Sequence, residues 1–134
     1  MNDTTTIKLV IASIGAVLAW LLGGFDSALQ GLCLLITLDI FTGLLKAFSL
    51  KTLSSDVSFR GMSRKVLIFS LVAVGVVVDR IIGTESLLRN GVILFYSISE
   101  GLSILENTTA LGLPVPAGLR DALTKLQEKA QSGP

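Results

Sequence analysis

The chain has 134 residues, of which 51% are apolar and 16% are charged, and its formal net charge is +1. A soluble protein of this length could not hide so much apolar surface in one core, so the composition favours a single integral membrane domain over residues 1–134. Because the sequence has no His and a single Cys, Cys33, it lacks the usual acid-base residue, the commonest metal ligand and an internal disulfide. We therefore expect no enzyme, no cofactor and no metal site, and the small net charge excludes a general attraction to nucleic acid.

Two apolar segments near the N-terminus predict a transmembrane helical hairpin. Residues 9–25 carry no charge, and a helix of that length covers roughly 26 Å, slightly less than the ~30 Å hydrocarbon core. Residues 28–45 form the second segment, with Asp39 as its one charged residue, and the Gly-Gly-Phe-Asp-Ser sequence between the segments is typical of a tight turn. A removed signal peptide is disfavoured because no small-residue cleavage site follows the first segment.

Residues 46–65 differ from the hairpin because basic residues predominate there. We predict a basic cytoplasmic loop, with a short interfacial helix capped near Ser54. The basic residues either only fix the orientation in the membrane or also hold anionic lipid headgroups. Lys46 belongs to this basic set, and the lipid-facing candidates in the loop are Lys51, Arg60, Arg64 and Lys65.

Two weaker apolar segments follow, at residues 66–83 and 90–106. The first is rich in β-branched residues, but a strand is rejected because so few segments cannot close a barrel and lipid tolerates no open sheet edge. The two segments are either spans or a re-entrant hairpin. After Pro114 and Pro116 stop the helix, residues 117–130 place leucines on one face of an amphipathic tail helix. The predicted fold class is an all-α integral membrane protein with four transmembrane or membrane-embedded helices and a C-terminal amphipathic helix.

The distribution of basic residues predicts the orientation. With four spans, the N-terminus, the 46–65 segment and the tail lie on one side of the membrane. That side carries nine of the eleven Lys and Arg residues, and the other side carries only Arg80 and Arg89. The positive-inside rule then places both termini in the cytoplasm.

Asp39 and Glu100 are the most informative polar residues because a carboxylate within a span costs roughly 2.5 to 3.5 kcal/mol at the bilayer centre. Both lie about 10 Å inside the cytoplasmic boundary. They could meet across the second and fourth helices, share a proton, pair with Lys46 or Lys65, or line a wet interface; alternatively, each reaches the nearby headgroups. The candidate oligomer or pore positions are Asp39, Thr42, Gly43, Lys46, Tyr96, Glu100, Ser103, Glu106 and Asn107.

Small residues at four-residue spacing predict close helix packing, within one subunit or between subunits. On the first helix this spacing relates Gly15, Ala19 and Gly23, and on the fourth it relates Ser97 and Gly101.

The order of several motifs resembles the phi29/toxin-secretion type of phage holin. The pattern D-x-x-T-G-x-x-K-A occupies residues 39–47, and E-x-x-S-I-x-E-N occupies residues 100–107. Between and after them stand Leu-Ser-Ser at 53–55, Gly-Met-Ser-Arg-Lys at 61–65 and Gly-Leu-Pro-Val-Pro at 112–116. The resemblance covers about residues 28–128, whereas the first helix matches only by its hydrophobicity.

This resemblance implies a holin that oligomerises in the bacterial cytoplasmic membrane and forms lesions, which release an endolysin or a large protein cargo. Its implied partners are the lipid bilayer and further copies of itself, with a peptidoglycan-degrading endolysin as a functional partner that need not touch it. The resemblance implies host cell lysis or protein export, and no enzymatic activity or cofactor. The alternatives are a small ion or solute channel and an antiholin-type membrane scaffold.

Overall fold

The computed structural model describes residues 2–133, and all regular structure in that range is helical. This confirms the predicted all-α class, and the β-branched segment that starts at Val66 is helical as well. The five helices are α1 (Asp3–Leu21), α2 (Ser27–Ser49), α3 (Ser55–Ile82), α4 (Leu87–Ala110) and α5 (Ala117–Ser132).

The prediction of a loop over residues 46–65 is wrong for most of that segment. Helix α2 continues to Ser49 and α3 begins at Ser55, so the connection covers only residues 50–54. The Ser54 hydroxyl caps α3 by accepting a hydrogen bond of 3.3 Å from the amide of Val57. Since Lys and Arg are good helix formers, their abundance does not interrupt a helix that is capped in this way. The predicted short interfacial helix is therefore the first part of a helix of 28 residues.

Helix α4 is the central element of the bundle, since α2, α3 and α5 all pack against it. The buried core consists of aliphatic side chains from α2, α3 and α4. Its members are Leu29, Leu32, Ile36, Ile68, Val72 and Ile93. The amphipathic helix predicted over residues 117–130 is present as α5. Its Leu123 side chain lies against Gly101 of α4, and the Arg120 guanidinium donates a hydrogen bond of 3.0 Å to the Thr109 hydroxyl.

Much of the outer surface is apolar, as expected for a membrane protein. Large side chains such as Trp20, Phe41, Phe59 and Ile81 are exposed, and a soluble protein would bury patches of this kind. Two helices, α1 and α2, are long and apolar enough to cross a membrane, and none of the apolar window of α1 is buried in the bundle. At 28 and 24 residues, α3 and α4 also exceed the length needed for the ~30 Å hydrocarbon core.

Candidate functional site

A buried lysine joins three helices near one end of the bundle. The Nζ of Lys65 on α3 donates a hydrogen bond of 2.6 Å to Asp39 Oδ2 on α2 and another to the Glu100 carboxylate on α4. The relative exposures of Lys65, Asp39 and Glu100 are 8%, 8% and 2%. An ammonium group therefore bridges the two acids inside the bundle.

Asn107 extends this arrangement toward the turn between α2 and α3. Its side-chain amide donates to Asp39 Oδ1 and to the Thr42 hydroxyl, each at 3.2 Å, and its Oδ1 accepts a hydrogen bond of 3.3 Å from Lys46 Nζ. We call the connected side chains of Asp39, Thr42, Lys46, Lys65, Glu100 and Asn107 the Lys65 cluster. Every buried side-chain nitrogen and oxygen within residues 2–133 has a hydrogen-bond partner, so the cluster contains no orphaned polar group.

The charges in the Lys65 cluster balance when all its members are ionised, because two carboxylates stand beside two ammonium groups. Lys65 contacts both acids directly, whereas Lys46 reaches them only through the Asn107 amide. Taking charges out of water is costly, and that cost is offset only when each charge keeps its partner. The Lys65 ammonium therefore holds α2, α3 and α4 together through its contacts with Asp39 and Glu100.

Not all of the predicted polar positions join this cluster. Lys65 was expected to face lipid from a loop, but the structure buries it in α3; Lys51, Arg60 and Arg64 are exposed. Gly43 lies against the Asn107 amide, and a Cβ at this position would be 3.6 Å from its Nδ2 atom. The other fourth-helix candidates make no hydrogen bond to the cluster: Tyr96 packs on the aliphatic core, Ser103 lines a cavity that the cluster also borders, and Glu106 is exposed.

The small residues predicted for helix packing have different surroundings. A Cβ added at Gly15 would meet open space, and Ala19 is half-buried. Gly23 lies against Arg89, and Gly101 lies against Leu123 of α5, while Ser97 is half-buried on α4. Within the subunit, side chains of other helices pack closely against Gly23 and Gly101, whereas none lies near Gly15.

A second buried charge lies at the opposite end of the bundle, where the sequence predicted no polar site. Arg89 is 2% exposed. Its guanidinium pairs with both carboxylate oxygens of Asp26, at 2.7 and 3.0 Å. It also donates to the carbonyls of Leu22 and Gly24, at 2.6 and 2.8 Å, and to the Asn90 side chain at 3.1 Å. All five guanidinium N–H donors are therefore used, and they tie the α1–α2 turn to the start of α4.

Asp79 completes this second site, which we call the Arg89 cluster: Asp26, Asp79, Thr84 and Arg89. Its carboxylate accepts hydrogen bonds from the amides of Leu88 and Arg89, at 3.0 and 2.8 Å, and from the Thr84 hydroxyl. Asp79, at the end of α3, therefore caps the N-terminus of α4. The residue at the N-cap position itself, Ser86, makes no side-chain cap hydrogen bond.

Two glycines give Arg89 its room. A Cβ at Gly75 would lie 2.9 Å from the Arg89 Cα, and one at Gly23, where φ is +76°, would lie 2.9 Å from the Arg89 Nε atom.

The hydrogen bonds from the Arg89 guanidinium, opposed by partial burial, hold the pKa of Asp26 below its usual 3.8. The sequence did contain a signal for this cluster, since Asp26, Asp79 and Arg89 all fall beside turns on the same predicted side of the membrane.

Comparison with known proteins gives consistent matches along nearly the whole chain. A sequence profile of the bacteriophage holin family matches residues 16–128. An uncharacterized 14.9 kDa protein of Clostridium perfringens is 39% identical over 96% of this chain and 98% of its own length. The uncharacterized protein YqxH of Bacillus subtilis is 33% identical over 97% of this chain and 93% of its own length. A protein of Bacillus phage phi105, named a probable holin, is 40% identical over 64% of each chain. No solved structure matches significantly.

Proposed function

Because the chain belongs to the bacteriophage holin family, we propose that it oligomerises in the bacterial cytoplasmic membrane and forms lesions that release an endolysin or a large protein cargo. The observation that carries this proposal is that the residues matched by the holin family profile include those that form the buried Lys65 cluster. The matched residues 16–128 include both motif blocks, and these blocks supply Asp39 and Glu100 to the Lys65 cluster. The protein acts, in this proposal, by assembly and not by catalysis.

The surface of the molecule supports an assembling membrane protein. Helix α1 has no buried residue and presents apolar side chains around its circumference. The charged side chains that the bundle buries all lie in the two clusters, where each is paired or hydrogen-bonded, and they are Asp39, Lys65, Asp79, Arg89 and Glu100. Lipid or further copies of the chain are the partners that such a surface accepts without exposing apolar groups to water.

Expression of the chain alone in bacteria tests lesion formation. We expect an abrupt stop of growth with simultaneous loss of membrane potential, and lysis only when a cytoplasmic endolysin is expressed with it. Membrane potential is followed with a fluorescent dye, and lysis by turbidity. A slow leak that never becomes abrupt would favour a small ion or solute channel. No effect on growth or potential would favour an antiholin-type scaffold, and either result would overturn the proposal.

We further propose a four-span topology with both termini in the cytoplasm. In support, the Arg89 cluster joins the α1–α2 turn to the α3–α4 turn, so these turns share one end of the bundle. The 50–54 turn lies at the other end, close to Lys46, and the basic residues concentrate there. The positive-inside rule assigns that end to the cytoplasm.

Cysteine labelling tests this orientation. In a Cys33→Ser background, we expect Glu85→Cys to react with a membrane-impermeant maleimide added to spheroplasts, and Thr52→Cys to react only after the membrane is permeabilised. Both positions are exposed and lie in turns between helices, so neither substitution removes a cap or a core side chain. Labelling of position 52 from outside would contradict the proposed orientation, and labelling of both positions from outside would contradict the four spans.

A further inference from the structure

A cavity of about 420 Å³ lies between α2 and α3, next to the turn that connects them. Its walls are mainly apolar, with Ile40 and Leu44 on α2, Leu53 in the turn, and Val57 and Met62 on α3. Asp39, Lys65 and Asn107 of the Lys65 cluster also line it, and the Asp39 carboxylate there is already paired with Lys65. Both helices pack against α4, which forms the floor of the cavity. We call this cavity the α2–α3 groove. Its volume falls within the usual range for small-ligand sites.

Lys46 gives the groove a cationic end. This side chain is half-buried and lines the groove, and its Nζ donates a hydrogen bond of 3.3 Å to the Asn107 side chain. Lys65 has two carboxylate partners, whereas Lys46 takes part in no ion pair within residues 2–133. An ammonium group has three donors, so two of them remain available in the groove. A cation in such a place is stabilised by an anion that enters the groove.

The exposed surface around this end is mainly basic. Lys51, Arg60 and Arg64 are exposed on the turn and on the first part of α3, and Asp56 is the one acid among them. Thr52, Ser54 and Ser58, which carry hydroxyl groups, also line the groove. The groove thus presents cationic and hydroxyl groups at one end and apolar walls along its length, which matches an amphiphile with an anionic headgroup.

We propose that the α2–α3 groove binds an anionic phospholipid, with the phosphate at Lys46 Nζ and part of one acyl chain between α2 and α3. The apolar walls favour a lipid over free phosphate, which would leave them empty. The Lys46 ammonium, which has no carboxylate partner, favours an anionic lipid over a zwitterionic one, whose own cation would lie near Lys46. This inference goes beyond lesion formation and requires only that the chain resides in a bilayer.

The test uses the full-length protein in detergent and counts bound lipid by native mass spectrometry. The two probes are phosphatidylglycerol and phosphatidylcholine, supplied at equal concentration. We expect phosphatidylglycerol to bind preferentially, and Lys46→Gln to weaken its binding about fivefold, as for the loss of one basic contact near a headgroup. The matched control is Lys51→Gln, which removes an exposed charge from the turn outside the groove and should change binding less than about twofold.

A second variant tests the groove without changing any charge. Gly61 lines the groove, and a Cβ at this position would meet open space, so Gly61→Phe should fill the apolar part and displace the lipid. Gly91→Phe is the matched control on an exposed part of α4, where a Cβ also meets open space. Circular dichroism confirms that each variant remains helical.

Three outcomes would overturn the proposal. They are equal binding of the two lipids, equal effects of Lys46→Gln and Lys51→Gln, and complete displacement of the lipid by inorganic phosphate. The last result would show a site for free phosphate. Because lipid binding is measured on purified protein, none of these outcomes bears on whether the chain forms lesions.

Discussion

Replacement of Lys65 by Met should destabilise the bundle more than any other single substitution in the Lys65 cluster. Met retains most of the length of the side chain but removes the ammonium, which leaves the Asp39 and Glu100 carboxylates buried without their shared partner. Removal of one member of a buried ion pair costs roughly 3 to 5 kcal/mol. We expect the free energy of unfolding of the full-length protein in mixed micelles to fall by about this amount. We also expect the variant to accumulate poorly in the membrane and not to trigger lysis.

Two comparisons separate this effect from a general loss of charge. Lys51→Met removes an exposed lysine and should leave stability and lysis nearly unchanged. The triple variant Lys65→Met, Asp39→Asn, Glu100→Gln replaces all three charges with neutral groups and should recover a large part of the lost stability. A Lys65→Met protein with normal stability and normal lysis would show that the two acids do not need the amine.

The carboxylate positions show how much of the site could be predicted from sequence. Asp39 and Glu100 lie at similar distances from the predicted ends of their segments, and this spacing was enough to suggest that they meet. Lys65 was considered as a partner, but its burial was not predicted because basic residues around it indicated a loop. Its neighbours Arg60 and Arg64 are exposed and Lys65 is buried, so the deciding factor is which side of α3 faces α4. That rotation depends on tertiary packing.

The sequence placed Asp26, Asp79 and Arg89 beside turns on one side of the membrane, but the hydrogen bonds of the Arg89 guanidinium could not be predicted, for a different reason. These hydrogen bonds join Arg89 to the backbone carbonyls of Leu22 and Gly24, which lie more than sixty positions earlier in the chain. A carbonyl acceptor is present at every position, so the sequence contains no pattern for it. Gly75 gave no signal either, because its role is to leave room for the Arg89 backbone, and that need appears only once α3 and α4 are in contact.

Arg89→Ala should be the most damaging single substitution at the opposite end of the bundle. It removes all five guanidinium hydrogen bonds, leaves the Leu22 and Gly24 carbonyls without this donor, and opens a hole beside Gly23. Because the Asp26 side chain is half-exposed and can be hydrated, the loss comes from the unpaired carbonyls and the cavity, and we expect roughly 2 to 5 kcal/mol in the free energy of unfolding. The measurement is unfolding of the full-length protein in mixed micelles, together with lysis timing in cells.

Arg80→Ala is the matched control because Arg80 also contacts the end of α1 but is exposed. Its guanidinium donates a hydrogen bond of 2.9 Å to the Trp20 carbonyl and lies 4.5 Å from the Trp20 ring centroid. Exposed cation–π contacts contribute about 0.5 to 1 kcal/mol, so this variant should remain close to the parent protein. A similar loss of stability in Arg80→Ala and Arg89→Ala would show that any contact at the end of α1 matters equally, and that the buried cluster has no special role.

Arg89→Lys distinguishes geometry from charge. Lysine keeps the positive charge but has three donors on one atom, so it cannot bind both Asp26 oxygens and both turn carbonyls at once. We therefore expect Arg89→Lys to lose most of the stability that Arg89→Ala loses.

Because the pKa of Asp26 lies below its usual 3.8, the contribution of the Asp26–Arg89 ion pair to stability should be constant between about pH 5 and pH 8. It should vanish only as the pH falls through that lowered pKa. A stability difference between the parent and Arg89→Lys that changes within the neutral range would contradict this assignment, since Asp26 stays ionised throughout it.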